Sequence, residues 1–104
     1  MIQSQFNTQY SRKMLRMAEV LKTIAHPVRL DILKLLGRYE YLNVSDIQDK
    51  LDCGCEQSML SHHLNKMKDK GILESFKDGK FMRYSLADKN ITNLFECIEK
   101  FDLL

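Results

Sequence analysis

Residues Gln57 to Leu73, QSMLSHHLNKMKDKGIL, decide the fold. Leu60, Leu64 and Met67 recur at spacings of four and three, which places them on one face of a helix. The opposite face carries Gln57, Ser58, Ser61, His62 and Asn65. These side chains are short, mostly uncharged, and able both to donate and to accept hydrogen bonds. Such a face reads base edges in a major groove wide enough to admit a helix. The plain alternative is an amphipathic helix with a polar solvent face, and this stretch alone leaves both open. Gly71 marks a helix stop, with Lys66, Lys68 and Lys70 near the negative end of the helix dipole.

The following residues favour the first reading. Leu73–Phe76 and Phe81–Leu86 read as short strands around Asp78-Gly79, a strong hairpin signal. Lys77, Lys80 and Arg83 make that hairpin basic. A polar-faced helix, a glycine stop and a basic hairpin describe a winged helix-turn-helix, in which the helix enters the groove and the wing meets the phosphates beside it.

Upstream, Ser45 is read as the N-cap of a helix over Asp46–Leu51. Asp52–Cys55 is the turn, and Glu56–Lys70 the recognition helix. Glu40–Asn43 is a connector. Pro27 opens an earlier helix to about Leu36, with Leu30, Leu33 and Leu36 inward, Gly37 as its stop and His26 at the joint before it. From Phe6 to Ile24, the residues Phe6, Tyr10, Met14, Met17, Leu21 and Ile24 step by three or four along one long helix. Asp88 or Asn90 caps a last helix reaching Leu104, with a stripe of Ile91, Leu94, Phe95, Ile98 and Phe101.

The expected fold is mainly α with a small β wing: about five helices and a two-stranded antiparallel hairpin. The whole chain, 1–104, forms a single domain of ordinary composition, 44% hydrophobic and 29% charged. Its first stripe is longer than so small a core needs, and exposed apolar stripes mark interfaces. The expected two-fold interface uses Phe6, Tyr10, Met14, Met17, Leu94, Phe95, Ile98 and Phe101; the alternative packs the first helix along its own domain.

Net charge is +2, unevenly spread. Residues 58–83 carry six Lys/Arg against three acids, whereas residues 39–57 carry five acids against one Lys. A local basic block is what a polyanion meets, so weak net charge is no objection. No signal-peptide pattern opens the chain and no apolar run approaches a membrane span, so a cytoplasmic location without membrane contact is expected.

Three cysteines in such a chain do not suggest a disulfide framework. Cys53-Gly54-Cys55 precedes the recognition helix, whose dipole favours thiolates. One reading is a thiol sensor of Cys53 and Cys55, joined by Cys97, acting by oxidation or by a thiolate-bound metal ion. The other makes Cys53 and Cys55 buried turn residues and Cys97 part of the core. No other cofactor is indicated. Met1, Met14, Met17, Met59, Met67 and Met82 read as core filler rather than metal ligands. No paired carboxylates, Ser/His/Asp grouping or glycine-rich phosphate loop suggests an enzyme, and the remaining enzyme reading, a Cys-Gly-Cys thiol–disulfide exchanger, lacks a scaffold.

LKTIAHPVRLDILKLL, VSDIQDKL, QSMLSHHLNKMKDKGIL and KDGKFMRYSL, in that order over about residues 18–88, resemble the ArsR/SmtB family of small bacterial winged-helix repressors. The resemblance implies a homodimer with its end helices at the interface, bound to an inverted-repeat operator in double-stranded DNA and released by an inducer. It implies groove contacts from Gln57, Ser58, Ser61, His62 and Asn65, phosphate contacts from Lys66, Lys77, Lys80 and Arg83, and a packing role for His63. Asn43 and Ser45 stand where metal-sensing members often carry Cys-x-Cys. Asp88 is followed by Asn90 rather than the usual His, and the last helix has no His, so the two common metal sites are absent. The alternative to a DNA-binding regulator is a winged-helix protein-interaction module without an operator.

Overall fold

A computed structural model describes residues 10–104. Among these residues five helices, α1 (Arg12–Ile24), α2 (Pro27–Leu36), α3 (Val44–Lys50), α4 (Gln57–Asp69) and α5 (Ile91–Glu99), surround a small sheet of β1 (Leu42–Asn43), β2 (Leu73–Asp78) and β3 (Phe81–Leu86). The sheet is antiparallel in the order β1-β3-β2. The expected two-stranded wing thus has a third strand, because the Glu40–Asn43 connector lays Leu42 opposite Tyr84 and Asn43 opposite Arg83.

The core lies between α2, α3, α4 and the inner face of the sheet. Ile32, Leu33, Leu36, Ile47, Leu60, Leu64 and Met67 are fully buried, with Leu73, Tyr84 and Leu86 closing it from the strands. Burying each large apolar side chain stabilises the fold by roughly 1.5–3 kcal/mol before entropy is counted.

Several boundaries differ from the sequence reading. Tyr10 lies in a bend and Ser11 is the extended N-cap of α1, its hydroxyl accepting from Met14 N at 3.0 Å. The expected helix from Phe6 therefore does not run unbroken through Tyr10; Phe6 itself lies outside the described residues. Asn43, not Ser45, caps α3: its side-chain carbonyl accepts from Asp46 N at 2.8 Å, and the helix begins at Val44. Leu51 lies beyond the helix end. The last helix ends at Glu99 rather than Leu104, leaving Phe101 outside it.

The stop of α4 is a Schellman motif. Gly71 has φ +75°, Ile72 N donates to Met67 O at 2.9 Å, and Gly71 N donates to Lys68 O at 2.9 Å. The wing turns through Gly79-Lys80 between the paired residues Asp78 and Phe81. Gly79 has φ +62°, and a positive φ at only the first central residue is what a type II′ hairpin turn requires.

Candidate nucleic-acid interface

Helix α4 stands beside α3 and is held from three sides. Gln57 Nε2 donates to Ser45 Oγ on α3 at 2.9 Å. Tyr84 OH on β3 donates to Asn65 Oδ1 at 3.4 Å. On the third side His63 is buried, and its Nδ1 accepts from Arg29 Nε at 3.1 Å. Arg29 also donates to Thr23 O at 2.8 Å, which ties the end of α1 to α2 and α4. Burial pushes the His63 imidazolium below its ordinary range, with nearby His26, Arg29 and His62 adding to the shift. The packing role expected for His63 is what its position shows. His26 caps α2, its Nδ1 accepting from Val28 N at 3.2 Å, and its ring lies 4.5 Å from that of His63.

At its far end α4 is tethered to α1. The Arg16 guanidinium donates to Lys70 O, and Lys70 Nζ pairs with Glu19 at 2.8 Å. A cation on a C-terminal carbonyl complements the helix dipole. The Lys70 ammonium holds the Glu19 carboxyl below the usual carboxylate range.

The outward face of α4 is therefore narrower than the sequence suggests. Of the five polar residues on that face, Ser58 and His62 are exposed and point away from the core, and Ser61 is half-buried. Gln57 and Asn65 are exposed but have side-chain partners within the domain. Lys66 is exposed on one flank.

Met59, read from its residue type as core, belongs to this surface instead. It lies in the first turn of α4 and is 51% exposed. Met14, Met17 and Met82 are also exposed; Met1 lies outside the described residues, and of the five described methionines read as core filler only Met67 is buried. The overlooked signal was position: Met59 follows Ser58 and lies three residues before His62, off the Leu60–Leu64–Met67 stripe.

On the wing, Lys77 and Lys80 are exposed and free of ion pairs within 4 Å among the described residues. Arg83 differs. It is half-buried, pairs with Asp78 at 2.8 Å, and lies over the Tyr41 and Phe81 rings at 5.2 and 5.8 Å. Register explains this: Phe76 and Arg83 are paired, as are Asp78 and Phe81, so all four side chains share the outer face of the sheet.

The cysteines separate. Cys53 and Cys55 are half-buried neighbours in the turn before α4, where Cys55 N donates to Cys53 Sγ at 3.3 Å. Gln48 Nε2 braces the turn by donating to Cys55 O at 3.0 Å. A separate side-chain hydrogen bond between the two thiols pushes the Cys55 thiol up, and burial adds to it, so the thiolate expected from the helix dipole is not favoured at Cys55. Cys97 is exposed on α5 and is not a core residue. Among the described residues of the single chain no group of three or more His, Cys, Asp or Glu is placed to hold a metal ion.

Away from α4, Tyr10, Met14, Met17 and Leu21 are exposed. Leu21 and Ile24 of α1, Leu30 of α2, and Leu94, Phe95 and Ile98 of α5 line a groove of about 390 Å³. Phe95 is otherwise a core residue, and Phe101 is 54% exposed. Among the described residues no helix is long and apolar enough to cross a membrane.

Known proteins share this arrangement. A family model described as a helix-turn-helix domain matches residues 24–75. An uncharacterized HTH-type transcriptional regulator of Methanocaldococcus jannaschii is 34% identical over 83 residues, covering 80% of this chain and 91% of that protein. The transcriptional repressor PagR of Bacillus anthracis is 36% identical over 81 residues, covering 78% of this chain and 79% of PagR. Its crystal structure aligns with a TM-score of 0.72 at 34% identity, over 83% of this chain and 95% of that one. A homodimeric winged helix-turn-helix DNA-binding domain from Mycobacterium bovis, described as a possible ArsR-family transcriptional regulator, aligns with a TM-score of 0.71 at 26% identity, over 86% and 84% of the two chains. Motif order, sheet topology and sequence agree, and the chain belongs to the ArsR family of winged helix-turn-helix transcriptional regulators.

Proposed function

We propose that the protein is a homodimeric repressor that reads an inverted-repeat operator and leaves it when an inducer acts. The observation that carries this reading is the pairing of a polar, uncharged face on α4 with a basic wing. Ser58 and His62 face outward on a helix held on three sides, and Lys77 and Lys80 extend beside it. Base contacts would come from α4, and phosphate contacts from Lys66, Lys77 and Lys80. Arg83, bonded to Asp78, would brace the wing first and meet phosphate only if that pair opens. The groove between α1 and α5 would take its counterpart on a second copy. The absence of enzymatic chemistry and a cytoplasmic location follow from the regulator role.

The test is a fluorescence-anisotropy titration with DNA from upstream of the protein's own gene. At physiological salt, groove reading keeps a sequence-dependent gap over scrambled DNA. His62→Ala should close part of that gap, about 1–3 kcal/mol for one good base contact. Lys80→Ala should weaken binding to both DNAs and make the salt slope shallower by about one unit. A protein with no gap at physiological salt is an interaction module, the second reading, which the exposed Phe76 and Phe81 on the wing, with Tyr41 packed against Phe76, favour.

The inducer response we place at the Cys53–Cys55 turn. Hydrogen peroxide would take one hydrogen from each of the adjacent thiols, forming one S–S bond and two waters. The braced turn leading into α4 would then be redrawn. Operator binding lost with peroxide and restored by a thiol reductant is the expected result. Binding indifferent to both removes the cysteines from the switch.

A further inference from the structure

We propose that Met59 is a specificity-determining residue that reads the C5-methyl group of a thymine in each operator half-site. The inference deepens the operator reading and rests on it. Recognition helices of this motif class meet base edges through their N-terminal residues. Met59 is the third residue of α4, in its first turn. At 100° per residue it shares one flank with His62 and Lys66, the first outward-facing and the second placed for phosphate. It is the one large apolar side chain that α4 leaves exposed; Leu60, Leu64 and Met67 are all buried.

The rest of the face leaves a role for an apolar reader. Gln57 and Asn65 already have partners on Ser45 and Tyr84. That leaves Ser58, His62 and the half-buried Ser61 as hydrogen-bonding readers. Hydrogen bonds identify acceptors and amino groups, but the thymine methyl offers neither and is read by apolar contact. Met59 supplies such a contact, and its flexible thioether adapts to a shallow methyl surface.

The experiment uses the full chain and the operator fragment that the wild-type protein binds. Each thymine is replaced singly by deoxyuridine, which removes only the methyl, and affinities are measured at physiological salt. Removing one buried methyl should weaken wild-type binding by roughly four-fold at one thymine position per half-site, the effect of about one apolar carbon. Met59→Ala and the similarly sized Met59→Gln should bind more weakly than wild type and show no loss at those positions. Both variants change an exposed side chain, and thermal melts verify that they fold. Two outcomes overturn the inference: a wild type indifferent to every deoxyuridine, or a methyl effect that persists undiminished in both variants. A wild type with no operator preference at all instead overturns the operator reading, and the inference falls with it.

Discussion

At the scale of single residues, His63 is the most exacting position. Its Nδ1 accepts from Arg29, so the proton of the neutral ring sits on Nε2. Protonation would put a second N–H opposite the Arg29 N–H and add positive charge beside a guanidinium. The folded state therefore lowers the His63 pKa, burial being the larger cause. The unfolded chain then binds this proton more readily, so the stability is full above about pH 6.5 and is lost as pH falls through the folded value. Urea midpoints measured at pH 7.5 and 5.5 should drop less in His63→Gln, which still accepts from Arg29 but does not titrate; an equal drop in both proteins rules the mechanism out. Arg29→Ala should cost roughly 1.5–3 kcal/mol at pH 7.5, since it removes charged donors to both Thr23 O and His63. The sequence pattern already separated His63 from the outward face. It could not show that Gln57 and Asn65 are engaged, because their partners lie 12 and 19 residues away. Met59 was hidden for another reason: its residue type suggests a core, and only the built helix shows which side of the stripe it occupies.

At the scale of elements, helix ends show how local preference and tertiary contact divide the work. Asn43 and Ser45 are both good N-caps, and composition cannot choose between them. Pairing of β1 with β3 chooses, since it holds Asn43 extended opposite Arg83 and leaves Ser45 to receive Gln57. Gly37 was expected as a stop, and α2 does end at Leu36, but the residue is right-handed at φ −72°. Its glycine is needed for space. An added Cβ would lie 2.7 Å from Thr92 Cγ2, and Thr92 cannot rotate away cheaply because its Oγ1 donates to Lys89 O at 2.8 Å. Helix propensity alone would make Gly37→Ala stabilising by roughly 0.5–1 kcal/mol. Overpacking costs about 1–3 kcal/mol, and should win. Thr92→Ser removes the offending methyl and keeps the hydroxyl, so Gly37→Ala made in that background should raise the denaturation midpoint. A rise for Gly37→Ala alone would show that α5 yields freely and that α2–α5 contact is loose.

At the scale of the whole molecule, the single chain is more extended than its size requires. Its Cα radius of gyration is 15.6 Å, against about 13 Å for a compact domain of 100 residues. The order of elements and the wing were legible in the sequence because each has its own local signal: a period, a cap, a glycine, an Asp-Gly. The extent of unpartnered surface has no such signal, although the excess of the first apolar stripe hinted at it. Met14, Met17 and Leu21 stay exposed on α1, continuous with the groove that α5 lines. A second copy is the economical cover, since a two-fold axis would bury the same faces on both chains and set two α4 helices against two half-sites. Met17→Glu and Leu21→Glu together place charge on that surface without entering the core. Sedimentation velocity at micromolar concentration should show a dimer for the wild type and a monomer for the double variant, with helical content unchanged. Linking two half-sites raises affinity by about 10²–10⁴ over one, so the variant should lose operator affinity on that order while its single-half-site binding stays level. Dimers persisting in the variant would place the interface elsewhere, and a wild type already monomeric would leave each α4 to read its half-site alone.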